Sequence, residues 1–335
     1  MEKIINFILS LHENSVVRHI THYDLDGNGP IILMKILQKI IGFDYKYIIQ
    51  PKVADDGIQE LDDETTHILV TDLSFYDDTS KTTILECIRD GIKVLNIDHH
   101  QNVDNGEEYK YVDTTRCASL IMFEALQHIL VDCFDIEIDR VGRMRVFYKL
   151  VNNWDTFEWK KEIEQVKKYS IGLNTYFGFK KPSEFISEMV DYLYYENPSI
   201  EQFRSMLLGY YEINKTMVEK SASKFINTAK ELETEHGIVR CAIFNDSATS
   251  LSIALDRVFE IDVKDGLKPY IYIALMPGIN TVSMRTILDD VDVSVIARKY
   301  GGNGHPKAAG FPLPDALKKV PYGEIEEKLI KYVID

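Results

Sequence analysis

The sequence is poor in cysteine and in long apolar runs. Its four cysteines (Cys87, Cys117, Cys133 and Cys241) stand far apart and form no CxxC pair. This spacing excludes a zinc ribbon and a secreted disulfide framework, and it favours reduced thiols in a cytoplasmic protein. No apolar stretch reaches about 18 residues and no repeat or signal peptide is recognisable, so we expect neither membrane association nor a solenoid.

Positive charge is also scarce. The 335 residues include 38 Lys and Arg against 53 Asp and Glu, which gives a net charge of -15. Such a charge opposes capture of long duplex or single-stranded nucleic acid, so a phosphate-bearing substrate has to be held locally. A hydrophobic content of 45% and a charged content of 27% are typical of a folded protein, and the length predicts two domains.

Residues 16–100 alternate short apolar runs with helical patterns, as βαβ units do. The runs VVRHITHYD, HILVTDLS and KVLNID suit parallel strands covered by helices on both faces. Acidic residues follow these strands: Asp24 and Asp26 after the first, Asp72 after the next and Asp98 after the last. Because the carboxyl ends of parallel strands share one edge of the sheet, we expect the four carboxylates to lie there.

The remaining sequence predicts a mostly helical stretch and then a second, smaller α/β domain. Residues 115–230 have helical periodicity, and the β pattern returns at Gly237. The cleft between the two domains is then the natural place for a substrate.

The acidic edge carries a pattern that suits metal binding. Alternate residues of an extended segment share a side, so His22, Asp24 and Asp26 of HYDLDG could converge on a cation, joined by Asp72 and by the triplet 98–100. Clustered carboxylates repel one another, and a divalent cation offsets that cost. Carboxylate and imidazole ligands favour Mn²⁺, with Mg²⁺, iron or Co²⁺ as competitors. The alternatives are an ordinary Asp-Gly turn, a helix cap at Asp72 and a structural His-His pair.

Two further segments are weaker signals on their own. Asp155 in NNWD lies at the end of a helical pattern, where acidic residues are common for structural reasons. The segment GGNGH (301–305) permits close backbone approach and could aim N–H groups at an anion, and Arg285 could grip a phosphate. Thr114, Thr115 and Ser119 are most simply caps of a helix that begins near Arg116.

The motifs HYDLDG, VTDLS, IDHH, NNWD, SMR and GGNGHPKAAG, in this order, resemble those of the DHH phosphoesterase family with its C-terminal DHH-associated domain. The resemblance covers nearly the whole chain, although Asn303 stands where the family has a third glycine. It implies a catalytic DHH domain over residues 1–190, a connecting helix over 191–235 and a substrate-binding domain over 236–335. The branch it resembles most is that of the nanoRNases, which trim very short oligonucleotides.

The resemblance also implies roles for individual residues. One of two Mn²⁺ ions is held by His22, Asp24 and Asp72, and the second by Asp26, Asp72, His99 and Asp155. The triplet Asp98, His99 and His100 is catalytic, and the substrate is bound by His100, Arg285, Gly301, Gly302, Asn303, Gly304 and His305. Mg²⁺ and Co²⁺ are substitutes.

The expected activity is hydrolysis of short oligonucleotides to 5′-mononucleotides by a water that two metal ions activate. A phosphatase for 3′-phosphoadenosine 5′-phosphate and a phosphodiesterase for cyclic nucleotides or dinucleotides are alternatives, because they need the same metal centre. A non-catalytic nucleotide sensor is a further alternative. The sequence leaves the oligomeric state open, a homodimer included.

Overall fold

The structure is a computed structural model that describes residues 1–50, 54–58, 61–75, 77–100, 106–196, 198–244, 251–276, 278 and 280–334. The chain divides into two units, Met1–Tyr211 and Glu212–Asp335. Each unit has its own β-sheet and hydrophobic core. Across these ranges no helix is both long and apolar enough to span a bilayer.

The first unit is built on a five-stranded parallel sheet, as the sequence predicts. The strand order is β2-β1-β3-β4-β5. The strands are β1 (Val16–His22), β2 (Asp44–Gln50), β3 (His67–Thr71), β4 (Lys93–Asp98) and β5 (Lys110–Val112). The central strands are apolar along most of their length because helices cover both faces of the sheet.

Helices and loops pack on the two faces of this sheet. Alternation along the strands sends Ile20 and Val70 to a smaller core and Val17 and Leu69 to a larger one. The helices are α1 (Glu2–Leu9), α2 (Leu25–Ile41), α3 (Asp55–Ile58), α4 (Asp78–Arg89), α5 (Ala118–Asp132), α6 (Ile138–Asp155), α7 (Glu164–Gly178), α8 (Pro182–Tyr195) and α9 (Ile200–Thr228), with a 3₁₀ turn at Glu158–Lys160.

The segment predicted as one connecting helix over 191–235 is interrupted in the structure. It holds the end of α8, most of α9 and the strand β6 (Lys230–Thr234). The strand forms because KELET is followed by a tight turn and pairs antiparallel with β7 (Gly237–Ile243), Thr234 opposite Gly237. Its side chains are exposed or half-buried, and from Glu231 to Thr234 the two alternate.

The second unit is a smaller α/β domain, also as predicted. Its sheet has the order β10-β11-β9-β8-β7-β6, and the β7–β8 pair is parallel while the others are antiparallel. The remaining elements are α10 (Leu251–Lys264), β8 (Ile271–Met276), β9 (Thr281–Arg285), α11 (Val293–Lys299), β10 (Asn303–His305), β11 (Ala308–Pro312), α12 (Asp315–Lys318) and α13 (Tyr322–Ile334).

Candidate active site

The carboxyl edge of the parallel sheet gathers the acids and histidines that the sequence singled out. Thr21 of β1 pairs with Thr71 of β3, which in turn pairs with Ile97 of β4. The three strands therefore end side by side, and the residues after them meet. The chain leaves β1 for β2 on one side and returns to β3 on the other, so this is also the switch point where ligands bind in such sheets.

The first group of potential metal ligands consists of His22, Asp24 and Asp72. His22 Nδ1 lies 2.8 Å from Asp24 Oδ2 and 3.4 Å from Asp72 Oδ2. Asp24 also caps α2, because its Oδ1 accepts a hydrogen bond from the N–H of Gly27 at 2.8 Å. This cap starts the helix at Leu25.

The second group consists of Asp26, His99 and Asp155, and a further group that overlaps it consists of Asp72, His99 and His100. His99 Nε2 lies 3.1 Å from Asp72 Oδ1, 3.5 Å from Asp155 Oδ2 and 3.7 Å from Asp26 Oδ2. Asp155 is the last residue of α6, so the C-terminal end of this helix places the carboxylate at the site. Asp72 thus has one oxygen near each group.

Asp26 is held by the N-terminus of α5. Its two carboxylate oxygens accept from the N–H groups of Ala118 and Ser119, each at 2.8 Å. The first-turn N–H groups of a helix have no partner within the helix, and they favour a negative charge. Asp26 is 1% exposed, and this contact replaces the water that it has lost.

At this edge of the sheet, two buried carboxylate oxygens have no hydrogen-bond partner among the described residues. These are Asp72 Oδ2, which lies 3.4 Å from His22 Nδ1, and Asp155 Oδ2, which lies 3.5 Å from His99 Nε2. Leaving a buried charged oxygen unpaired is costly, so such atoms are rare in native proteins unless another ligand satisfies them. Asp72 moreover has a positive φ of 56°, which is uncommon outside glycine and is found where function holds the backbone. Orphan oxygens among carboxylates and imidazoles fit a divalent cation.

The pKa shifts at this edge reflect crowded negative charge. Burial and then the charges of Asp24 and Asp26 raise the pKa of Asp72 to about 6. Burial and then the charge of Asp26 raise the pKa of Asp155 well above its usual range. Burial opposes protonation of His99, but the hydrogen bond with Asp72 and the neighbouring acids outweigh it and raise its pKa to about 11. Cations are therefore strongly favoured here.

Asp98 has a different environment from the other acids. It is fully buried and accepts from Ser74 Oγ at 2.6 Å, from the N–H of His99 at 2.7 Å and from the N–H of His100 at 3.1 Å. Its Oδ1 also lies 2.7 Å from His100 Nδ1. Four donors leave this carboxylate little capacity for a metal ion, and the contact with Nδ1 orients the His100 ring.

His100 is the partly exposed member of the triplet, with 43% of its side chain accessible. Its ring lies 4.7 Å from the ring of His99. Burial opposes its protonation, but the hydrogen bond and charge of Asp98 raise its pKa. An accessible and oriented imidazole with a raised pKa is suited to donate a proton or a hydrogen bond.

The predicted substrate-binding residues of the second unit lie on neighbouring strands. In the sheet register His305 of β10 faces Ala308 of β11, which faces Arg285 of β9. Directly paired residues share a face, so Arg285 and His305 flank a small alanine in one row. Arg285 donates to Ser283 Oγ and to the Met284 carbonyl, and burial lowers its pKa to about 10.

The glycines of GGNGH have identifiable backbone roles. The N–H groups of Gly301 and Gly302 donate to the carbonyls of Arg298 and Ala297, so they end α11 and are not aimed at an anion. A Cβ at Gly302 would lie 2.1 Å from the Gly310 carbonyl oxygen. Gly304 has a φ of 144°. The side chain of Asn303 lies outside what the structure describes.

The structure adds two site residues that the sequence did not assign to the centre. Ser74 holds Asp98, and Ser119 holds Asp26. The sequence predicted Ser119 as a helix cap, but in the structure it bonds to Asp26, which lies 93 residues away in the sequence. Cys117 takes the cap position instead, and α5 begins at Ala118.

Solved structures share this fold. RecJ of Thermus thermophilus in complex with Mn²⁺ matches with a TM-score of 0.64 and 13% identity, over 99% of this chain and 54% of RecJ. A DHH domain from a member of a family of ribosomal proteins matches with a TM-score of 0.63 and 16% identity, over 100% of this chain and 90% of that one. No protein-family model matches the chain. The fold of the first unit and its neighbouring elements is therefore similar to that of these DHH proteins.

The chain is also similar to a curated protein. The chain is 25% identical over 314 residues to the oligoribonuclease NrnB of Bacillus subtilis (strain 168), covering 89% of this chain and 73% of that protein. With the motifs, these matches confirm the resemblance to the DHH phosphoesterase family.

Proposed function

We propose that the protein is a manganese-dependent phosphodiesterase that hydrolyses short oligonucleotides to 5′-mononucleotides. The observation that carries this proposal is the position of Asp72 between two ligand groups, with one oxygen 3.4 Å from His22 Nδ1 and the other 3.1 Å from His99 Nε2. A shared carboxylate between two groups of acids and imidazoles is the arrangement that two-metal hydrolysis requires.

The proposed ligands of the two ions follow the groups described above. His22, Asp24 and Asp72 would hold one ion, and Asp26, Asp72, His99 and Asp155 the other. Two divalent cations at such a site lower the pKa of a water molecule and neutralise charge on phosphoryl oxygens. The carboxylates are kept in place by the contacts that Asp24 makes with Gly27 and Asp26 makes with α5.

His100 is the proposed general acid, and Asp98 positions it. The imidazole is partly exposed, while its Nδ1 is tied to Asp98 at 2.7 Å, which leaves Nε2 to face a substrate. The raised pKa of His100 keeps the ring protonated at higher pH than free histidine, so it can protonate a leaving oxygen. Asp98 acts through His100 and is a positioning residue.

The second unit is proposed to select the substrate. Arg285 and His305 lie in one row of its sheet, and a guanidinium and an imidazole beside a small alanine suit a phosphate group. The contribution of Gly301 and Gly302 is to shape the turn after α11. The net charge of -15 further favours short substrates over long strands.

The test is hydrolysis with Mn²⁺ of a 5′-phosphorylated RNA dinucleotide beside 3′-phosphoadenosine 5′-phosphate, a cyclic dinucleotide and a long single strand. Release of mononucleotides mainly from the dinucleotide is the expected result. Preference for the bisphosphate or the cyclic compound would be consistent with the proposed metal centre but would overturn the proposed oligonucleotide substrate. No turnover of all four would overturn the enzymatic proposal in favour of a nucleotide sensor.

A further inference from the structure

Asn96 is a fully buried polar residue within the apolar strand β4, two residues before Asp98. Its neighbours Leu95 and Ile97 point to the opposite face of the sheet, into the larger core. Burying an amide costs free energy unless hydrogen bonds compensate, and a leucine of similar size would avoid that cost. The packing of β4 therefore does not explain an asparagine at this position.

The Asn96 side chain donates hydrogen bonds to the segment that carries Asp72. Its Nδ2 lies 2.8 Å from the Leu73 carbonyl oxygen and 3.3 Å from the Val70 carbonyl oxygen. Only the NH₂ end of an amide can donate to carbonyls, so these two acceptors fix the orientation of the side chain. Oδ1 has no hydrogen-bond partner in the part of the chain that the structure describes. The amide thus binds the backbone on both sides of Asp72.

The backbone of Asp72 needs such a restraint because its φ of 56° is unfavourable for a residue with a side chain. Strand β3 ends one residue earlier, at Thr71, and the N–H of Asp72 donates to the Ile97 carbonyl at 2.9 Å. Val70 and Asn96 are directly paired in the parallel register, which places the Asn96 side chain next to the point where the chain leaves the sheet. Its hydrogen bonds therefore hold the residues before and after the strained position.

A displacement of Asp72 would affect both groups of candidate ligands. One carboxylate oxygen lies 3.4 Å from His22 Nδ1, and the other lies 3.1 Å from His99 Nε2. A small rotation of the backbone would move both oxygens together, so the geometry of the whole centre depends on the restraint at this residue.

We propose that Asn96 is a positioning residue that holds Asp72, before any metal ion binds, in the conformation that offers its carboxylate to two ions. The proposal rests on the two-metal centre of the proposed function. Asn96 acts through Asp72 and is not itself a ligand. A merely structural role would lower the stability of the chain but would leave the metal affinity of the folded protein unchanged.

Asn96→Leu removes both hydrogen bonds with little change in side-chain volume. Isothermal titration calorimetry of the folded full-length chain with MnCl₂ should show both ions binding at least about tenfold more weakly than in the wild type. Both ions are expected to respond, because Asp72 is shared. Unchanged Mn²⁺ affinity in Asn96→Leu would overturn the proposal.

Leu95→Ala is the matched control, because Leu95 is the adjacent buried residue of β4 and faces away from Asp72. It should lower Tm by leaving a cavity in the larger core, while Mn²⁺ affinity stays at the wild-type value. An equal loss of affinity in Leu95→Ala would show that any destabilisation of β4 weakens the centre, and it would overturn a specific role for Asn96.

Hydrogen exchange in EDTA tests the restraint without metal ions. The amide of Asp72 should be protected in the wild-type chain, and Asn96→Leu should reduce the protection by about tenfold, the effect of one lost hydrogen bond. Rapid exchange of this amide in the wild type would overturn the proposal even if Asn96→Leu did not fold. Failure of the wild type to bind Mn²⁺ would instead overturn the proposed function, and the exchange measurement would still decide whether Asn96 holds the Asp72 backbone.

Discussion

The hydroxyl of Ser119 donates a hydrogen bond to the backbone carbonyl of Asp26 at 2.6 Å. In an α-helix this carbonyl would accept from the N–H of the residue four positions later. That residue is Pro30, which has no amide hydrogen. Gly29 allows the approach, because a Cβ there would lie 1.9 Å from Ser119 Oγ. Ser119 therefore replaces the hydrogen bond that the helix lacks, and it also holds Asp26, a candidate metal ligand, in position.

Ser119→Ala should lower the free energy of unfolding by about 1–3 kcal/mol, because it leaves a buried carbonyl without its donor. Urea denaturation of the metal-free protein measures this change. Ser170→Ala is the matched control: Ser170 is also buried and helical, but its hydroxyl has no hydrogen-bond partner among the described residues. A loss as large in Ser170→Ala would show that the Ser119 contact contributes nothing particular.

These residues illustrate which parts of the fold and the site could be predicted from the sequence. The parallel sheet was predictable because β1, β3 and β4 are apolar runs with acids directly behind them. That edge predicted that Asp24, Asp26 and Asp72 lie close together, whereas the ligand set of His22, Asp24 and Asp72 came from the family resemblance. The contact between Asp26 and Ser119 was not predictable, because a serine near a helix start looks like an ordinary cap and its partner lies 93 residues away.

The glycine-rich segment shows the opposite problem. GGNGH reads as a loop that could bind an anion, but Gly301 and Gly302 end α11, and residues 303–305 form one strand of a hairpin with β11. Three-residue strands are too short to show an alternating pattern. The row that joins Arg285 and His305 depends on this hairpin register, which a single sequence does not reveal.

Asp155→Asn should have opposite effects with and without metal. Without metal, burial and the charge of Asp26 make the ionised carboxylate unfavourable, so its removal should raise Tm by a few degrees at pH 8. With metal, a ligand is lost, so stabilisation by Mn²⁺ should need at least about tenfold more ion. Differential scanning fluorimetry over a Mn²⁺ titration measures both.

Asp63→Asn is the control for that measurement, since Asp63 is an exposed acid of the first unit. It should change neither the Tm nor the response to Mn²⁺. If Asp155→Asn responded to Mn²⁺ like the wild-type chain, Asp155 would not be a ligand.

Asp98→Asn should lower kcat by about 10–100-fold while Mn²⁺ affinity stays nearly constant, because Asp98 orients His100 and is saturated by other donors. The pKa of His100 should fall, since the Asp98 charge is what raises it. NMR titration of His100 and steady-state kinetics on the dinucleotide measure the two effects. Ser74→Ala, which removes one donor to Asp98, should show a smaller loss. A main effect on metal affinity would instead make Asp98 a ligand.

His19 should contribute a loss of stability in mild acid. This residue is fully buried in β1, with Nδ1 2.7 Å from the Tyr45 hydroxyl and Nε2 2.8 Å from Thr71 Oγ1. Burial lowers its pKa from 6.5 to about 3. The neutral ring is favoured in the folded state, so the unfolded chain binds the extra proton and stability is lost as pH falls below 6.5.

Between pH 7 and pH 5 this group should cost about 2 kcal/mol of unfolding free energy. Urea denaturation of the wild-type chain and of His19→Gln at several pH values measures this contribution as the difference between the two slopes. Other groups, such as His67, whose pKa burial lowers to about 4, and His99, whose pKa is raised to about 11, affect both slopes and cancel in the difference. Should His19→Gln not fold, NMR titration of the wild-type ring decides the matter, because a His19 that becomes protonated between pH 7 and pH 5 in the folded protein contradicts the prediction.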